Sequence, residues 1–236
     1  MTELQRNTLV WLTPQGWTAV HGQDWEAPVQ DLLRYWQTCQ FPWVVAHQRP
    51  GVTAGEVCLG LPAPQHWGRR RLGAQVALDG IARHGQFPLL DEVARSHLWG
   101  IPAASWLTRG AGLGMDVRVY GSYGWQHMTG MPYVRAGSDL DLSAHVSDLT
   151  GAIRALEWLA QAGETSDTGR AASQRLPLRV DGEIVFPRGQ AVAWRELQAM
   201  RQGQVRQVLV KDRRQLRLLE WADLEALVDA RPASLV

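Results

Sequence analysis

Two aspartates one residue apart, Asp139 and Asp141, stand beside Leu140 and Leu142 at the end of VRVYGSYGWQHMTGMPYVRAGSDLDL, residues 117–142. Successive side chains of a strand point to opposite faces, so this pair projects from one side, about 6.6 Å apart along the chain. Hard carboxylate oxygens select Mg²⁺ or Mn²⁺, which complete their octahedra with water and phosphate oxygens. Two such ions roughly 3.5–4 Å apart stabilise both the attacking and the leaving oxygen of an in-line displacement at phosphorus. Upstream, Gly121-Ser122 ends the apolar run Val117–Tyr120. A glycine there lets backbone N–H groups and a hydroxyl approach the terminal phosphates of a triphosphate. The expected chemistry is metal-dependent transfer of a nucleotidyl-type group. The competing account is a turn before an edge strand with solvated acids, and the depletion of Asp from strands argues against it.

Asp181, after Leu178-Arg179-Val180, is a further acid at the end of an expected strand, with Glu183 two residues on. Asp181-Gly182 between two β-type runs is also a preferred hairpin turn, in which the aspartate serves backbone geometry and faces water. The basic residues are almost all arginine. Arg69, Arg70 and Arg71, in a Gly-rich turn between the two expected parts of the chain, are candidates to clamp phosphate oxygens through their planar forks, although a run of three charges is also an ordinary solvated face. Lys211, the only lysine, closes an apolar strand, where it is placed either to neutralise a phosphate or to discourage sheet pairing. Trp125 follows the Gly-Ser pair and is a candidate to stack on a base, with core packing the stronger expectation.

These groups need strands to carry them. Apolar residues three and four apart predict helices over Val29–Thr38, Leu89–His97, Leu149–Ala162 and Trp221–Asp229. Strands are expected at Val117–Tyr120, Leu140–Val146, Leu178–Val180, Ile184–Phe186, Val208–Val210 and Leu216–Leu219. Before residue 78 the turn signals are dense, as in Pro14-Gln15-Gly16 and Arg49-Pro50-Gly51, around short apolar runs. The expected class is α+β, with a smaller strand-and-loop N-terminal α/β domain over 1–77 and a catalytic domain with a mixed sheet over 78–236. Residues 162–174, rich in Gly, Ser and Thr, are expected to form a surface loop.

Several readings are excluded. At 236 residues, 45% hydrophobic and 20% charged, the chain is long enough to bury a sizeable core. A formal charge of +1 gives no bulk pull toward nucleic acid or an anionic membrane. The N-terminus, MTELQRNTLVWL, lacks the basic and apolar regions of a secretory signal, and no run has the length of a spanning helix, so a cytoplasmic protein is expected. Cys39 and Cys58 stand apart and indicate neither zinc nor a disulfide framework; both read as small buried or half-buried apolar residues. The seven histidines show no metal-ligand spacing, and no G-x-x-x-x-G-K-[S/T] loop is present. Gly110-Ala111-Gly112-Leu113-Gly114 precedes a strand instead of joining one to a helix, so it reads as a connector and not a dinucleotide turn.

The Gly-Ser pair followed by the Asp-x-Asp strand resembles the nucleotidyltransferase superfamily to which DNA polymerase β belongs, with a longer gap between the two motifs. Segments 59–78 (LGLPAPQHWGRRRLGAQVAL), 119–142, 178–197 (LRVDGEIVFPRGQAVAWREL) and 208–212 (VLVKD) are similar to the malonate decarboxylase holo-acyl-carrier-protein synthases, which are phosphoribosyl-dephospho-CoA transferases. That resemblance implies transfer of 2′-(5″-triphosphoribosyl)-3′-dephospho-CoA to a serine of the acyl-carrier subunit of malonate decarboxylase, with release of pyrophosphate. It implies Asp139 and Asp141 as catalytic ligands of the ions, and a third carboxylate from a neighbouring strand, for which Asp181 is the candidate and Glu183 the alternative. Two alternatives remain: another nucleotidyltransferase using an ordinary nucleoside triphosphate on a small molecule or protein, and a non-catalytic nucleotide-binding module.

Overall fold

The structure, a computed structural model, describes residues 4–97, 115–167 and 179–229. Two sheets organise it. The first has the order β4-β3-β2-β1-β5 and is antiparallel throughout, from β1 (Leu9–Leu12), β2 (Trp43–Val45), β3 (Glu56–Pro62), β4 (Arg71–Ala77) and β5 (Ile81–Gly85). Two helices, α1 (Pro14–His21) and α2 (Ala27–Thr38), bury Trp17, Val20, Leu32, Leu33 and Trp36 against Leu9, Val10, Trp43 and Val45. The Pro14-Gln15-Gly16 segment, expected as a turn, is the start of α1. Thr13 caps the helix by accepting from the Gly16 N–H at 3.1 Å, and Pro14 occupies the first turn, where its missing N–H costs nothing.

The second sheet has the order β11-β10-β9-β8-β7-β6. Its strands are β6 (Asp116–Val119), β7 (Leu140–His145), β8 (Val180–Val185), β9 (Ala191–Ala193), β10 (Val208–Lys211) and β11 (Leu216–Leu219). Only β7 and β8 run parallel, so the sheet is mixed and the fold α+β as expected. The connection between those two strands carries α5 (Leu149–Asp167), whose Ala152, Ala155, Leu156 and Leu159 pack with Leu140, Leu142, Ala144 and Ile184 into the second core. On the same core lie α3 (Leu90–His97), α6 (Trp194–Arg201) and α7 (Trp221–Asp229). Helix α4 (Gly121–Thr129) joins the two halves: its Trp125 lies 6.0 Å from the Trp36 ring and 5.7 Å from the Phe87 ring, in the first core.

Several expectations change. The two short strands around Asp181-Gly182 are one continuous strand, β8, and no hairpin interrupts it, because pairing to β7 on one side and β9 on the other supplies its backbone partners. The helix expected to end at Ala162 continues to Asp167, into the expected loop; residues 168–174 and the 110–114 connector lie outside the described residues. Cys58 is buried, whereas Cys39 is exposed, since it sits at the solvent end of α2 as its C-cap. β5, paired with β1, lies beyond the expected 77/78 division. Among the described residues no helix is long and apolar enough to cross a membrane.

Candidate active site

The alternation along β7 sends Leu140, Leu142 and Ala144 into the second core and leaves Asp141, Ser143 and His145 on the opposite face. Parallel pairing aligns Asp141 with Asp181 and Ser143 with Glu183 across β7 and β8. Directly paired residues share a face, so one polar surface holds all four. Asp139 precedes β7 instead of lying in it, with Arg179 at 4.0 Å.

Gly182 permits this alignment. Its φ is +148°, and a Cβ there would stand 2.0 Å from the Leu142 carbonyl oxygen, so only glycine lets β8 run this close to β7. A second close approach brings α4 onto the acidic row. The Tyr120 N–H donates to the Asp141 carbonyl at 3.0 Å, and Gly121, at φ +59°, faces the Asp141 carboxylate, where a Cβ would meet Oδ2 at 1.8 Å. The Gly-Ser pair is therefore not a free turn but the first turn of a helix. Its leading N–H groups have no helical acceptor, and that end attracts anions. Trp125 packs in the core, against Trp36, Phe87 and Tyr133, and is no base-stacking platform.

Electrostatics mark the same place. Burial, reinforced by Asp181, Asp139 and Glu183, pushes the Asp141 carboxyl up to about 6. No described cation pairs with Asp141 or Asp181, and Asp181 accepts the Gly182 N–H at 2.9 Å. Glu183 differs: it is buried and held between the Arg6 guanidinium and Lys211 Nζ, the latter at 3.2 Å. Tyr120 completes the cluster. Burial raises its hydroxyl far above the ordinary phenol range, and the charges of Glu183, Asp141 and Asp181 add to the rise while Arg6 opposes it. Further along the face, Arg118 is tied to the Phe87 carbonyl at 2.8 Å and to Asp116 at 2.7 Å, and burial lowers the pKa of His145.

Of the residues expected from the sequence, Gly121, Ser122, Asp139, Asp141, Asp181 and Lys211 come from adjoining strands, strand ends and the helix start around one polar face. Arg69, Arg70 and Arg71 do not join them. Arg71 opens β4 of the first sheet, Arg70 pairs with Glu26 at 2.5 Å and Arg69 donates to Gln65 at 3.0 Å. They lie on the β3–β4 hairpin instead of a turn between the domains. Arg6 and Tyr120 were not picked out from the sequence: Arg6 reaches Glu183 across 177 residues, which no local pattern encodes, while Tyr120 was signalled only by its place before Gly121.

The donor set suits a hard divalent ion. Among the described residues no three His, Cys, Asp or Glu side chains form a ready metal cage. Mg²⁺ seldom needs one, since it is commonly held by one or two carboxylates, with waters and substrate phosphates completing the octahedron. The Asp141 carboxyl, raised first by burial and then by three neighbouring carboxylates, is a group whose ionised form a cation would favour.

Residues 5–87 match the model of the phosphoribosyl-dephospho-CoA transferase MdcG N-terminal domain, and residues 89–222 match that of the C-terminal domain. A phosphoribosyl-dephospho-CoA transferase of Bradyrhizobium diazoefficiens is 34% identical over 221 residues, 91% of this chain and 89% of its own. One of Xanthomonas campestris pv. campestris is 35% identical over 217 residues, 91% and 93% of the two chains, and one of Xanthomonas axonopodis pv. citri is 34% identical over 232, 97% and 99%. No solved structure gives a significant match. The chain belongs to the phosphoribosyl-dephospho-CoA transferase family and is a transferase.

Proposed function

We propose that this member of the family transfers the phosphoribosyl-dephospho-CoA unit of 2′-(5″-triphosphoribosyl)-3′-dephospho-CoA to a serine of the acyl-carrier subunit of malonate decarboxylase. The serine Oγ forms a bond to the α-phosphorus, the bond from that phosphorus to the bridging oxygen breaks, and pyrophosphate leaves. The serine proton passes to a neighbouring carboxylate or to water. The observation that carries this reading is the contact of the α4 N-terminus, through Gly121, with an Asp141 carboxylate aligned to Asp181.

In this reading Asp139 and Asp141, with Asp181, hold one or two Mg²⁺ or Mn²⁺ ions. When bound, such ions neutralise polyphosphate charge and stabilise the oxygens that gain it. The chain's own groups do the rest. The first-turn N–H groups and the Ser122 hydroxyl hold phosphate oxygens at the positive end of α4. Lys211 and Arg6, fixed on Glu183, present cationic charge beside the carboxylates, so the leaving pyrophosphate finds oriented partners without reorganisation.

Incubating enzyme, donor, carrier subunit and Mg²⁺, then weighing the carrier by mass spectrometry, tests the proposal. The wild type adds one phosphoribosyl-dephospho-CoA mass and releases pyrophosphate. Asp139→Asn and Asp141→Asn lower the rate by two orders of magnitude or more at unchanged circular dichroism. Near-normal modification by either variant refutes the role given to these acids, and self-adenylylation with ATP alone favours an ordinary nucleotide donor.

A further inference from the structure

Lys211 apart, the β10–β11 hairpin carries a charge and an exposed apolar surface that the chemistry above does not use. From Gln204 to Arg217 the sequence holds Arg206, Lys211, Arg213, Arg214 and Arg217 against one acid, Asp212, in a chain whose overall charge is only +1. At the hairpin tip a groove is lined by Arg213 and Arg214 together with His47 and Arg49 from the loop that follows β2, with Glu56 as the single acid on its wall. The Gln48 N–H donates to the Arg213 carbonyl at 2.8 Å, and buried Gln48 is itself fixed by Cys58, so the two halves of the groove are tied together.

Beside the groove, Leu216 and Leu218 are 57% and 62% exposed. Their orientation follows from register. Leu216 pairs with Lys211, and Leu218 with Leu209. Lys211 reaches Glu183, so it lies on the polar face of the sheet, and both leucines share that face. At about 4.8 Å per strand, β11 stands roughly 14 Å from β8 and roughly 19 Å from β7. The exposed leucines and the carboxylates thus share one face of the sheet, with buried Glu183, under Arg6 and Lys211, between the acidic strands and the apolar and basic β11 edge.

We infer that this edge, Leu216 and Leu218 with Arg214, Arg49 and the groove between the two arginines, is the docking surface for the protein acceptor, an acidic protein that presents apolar side chains beside its carboxylates. The inference rests on the transfer reading and adds to it the place where the acceptor sits. Size allows it: a compact protein of about 100 residues has a radius of gyration near 13 Å and is therefore about 30 Å across, so one with its edge on the leucines also reaches Asp141. Charge selects it. A second copy packed about a two-fold axis would set this basic hairpin against itself, whereas an acidic partner gains steering and register from it. β11 is an edge strand, so its outer backbone groups also face the visitor.

Arg214→Glu and the double variant Leu216→Ser/Leu218→Ser replace exposed side chains and test the assignment. Steady-state transfer to the malonate decarboxylase carrier subunit is measured with saturating donor, alongside calorimetric donor binding without carrier and the mass of the enzyme in solution. KM for the carrier rises about tenfold or more in each variant, kcat and donor affinity stay within about twofold, and added salt raises KM less in Arg214→Glu than in the wild type. Unchanged carrier KM in both variants, with a wild type that modifies the carrier, overturns the docking assignment alone. Loss of donor affinity reassigns the patch to the donor, and conversion of a dimer to a monomer reassigns it to self-association; either overturns it. A wild type that leaves the carrier unmodified overturns the transfer reading and the assignment with it.

Discussion

Removing the charge of Asp141 should make the protein more stable while disabling it. Burial and the neighbouring Asp181, Asp139 and Glu183 raise the Asp141 carboxyl from 3.8 to about 6. The folded state therefore holds this proton more tightly than the unfolded chain. Below about pH 3.8 both states are protonated and the charge has no effect. Between 3.8 and about 6 the folded state binds more protons, so stability falls as pH rises, and above about 6 the destabilisation is complete. A shift of about two pK units corresponds to a ceiling of about 3 kcal/mol, which half-burial and solvent screening reduce to about 1–2 kcal/mol. For a chain of this length that is a Tm rise of roughly 3–6 °C for Asp141→Asn at pH 7.5 in EDTA. Thermal and urea unfolding across pH 4–8 measure it. The advantage of the variant should fade toward pH 4, and millimolar Mg²⁺ should narrow it by stabilising only the wild type. A variant no more stable than the wild type at pH 7.5, or an advantage indifferent to pH, refutes the electrostatic account of the site.

Three further outcomes follow from the same geometry. Gly121→Ala places a methyl 1.8 Å from Asp141 Oδ2 on a left-handed backbone, so stability drops by about 1–2 kcal/mol from the backbone alone, and transfer falls at least a hundredfold; urea titration and the carrier mass shift read both. Gly182→Ala meets the Leu142 carbonyl at 2.0 Å and must push β8 from β7, lowering the urea midpoint and the activity together although no carboxylate is altered. Glu183→Gln leaves Arg6 and Lys211 without their shared anion; with Arg6 19% and Lys211 30% exposed, about 2 kcal/mol of stability is lost, and the loss should be larger at low salt if the charges are responsible.

How far the sequence reveals the site depends on whether the contacts are local. Asp139, Asp141 and the Gly-Ser pair are legible because two acids beside leucines and a glycine after an apolar run are unusual choices within a few residues of each other. Asp181 is not decided locally, since Asp-Gly suits both a hairpin and a strand; the parallel pairing with β7, some forty residues upstream, selects the strand. The arginine run 69–71 is likewise placed by pairing that its own residues do not encode. Its composition suits phosphate, but the β3–β4 ladder, from Glu56↔Ala77 to Pro62↔Arg71, holds it on the first sheet, and a charge run contains nothing that specifies its sheet. Arg6 is the most distant case and explains why two domains are needed. It belongs to the segment leading into β1, yet its guanidinium grips Glu183 of the second sheet, while α4, which follows β6 of that sheet, sends Trp125 into the first core. Each half thus supplies a piece that the other holds in place, and the carboxylates stand where the two meet. A like-charged row of this kind persists only because the surrounding packing fixes it, and in the transfer proposed above a bound cation would relieve the destabilisation at Asp141.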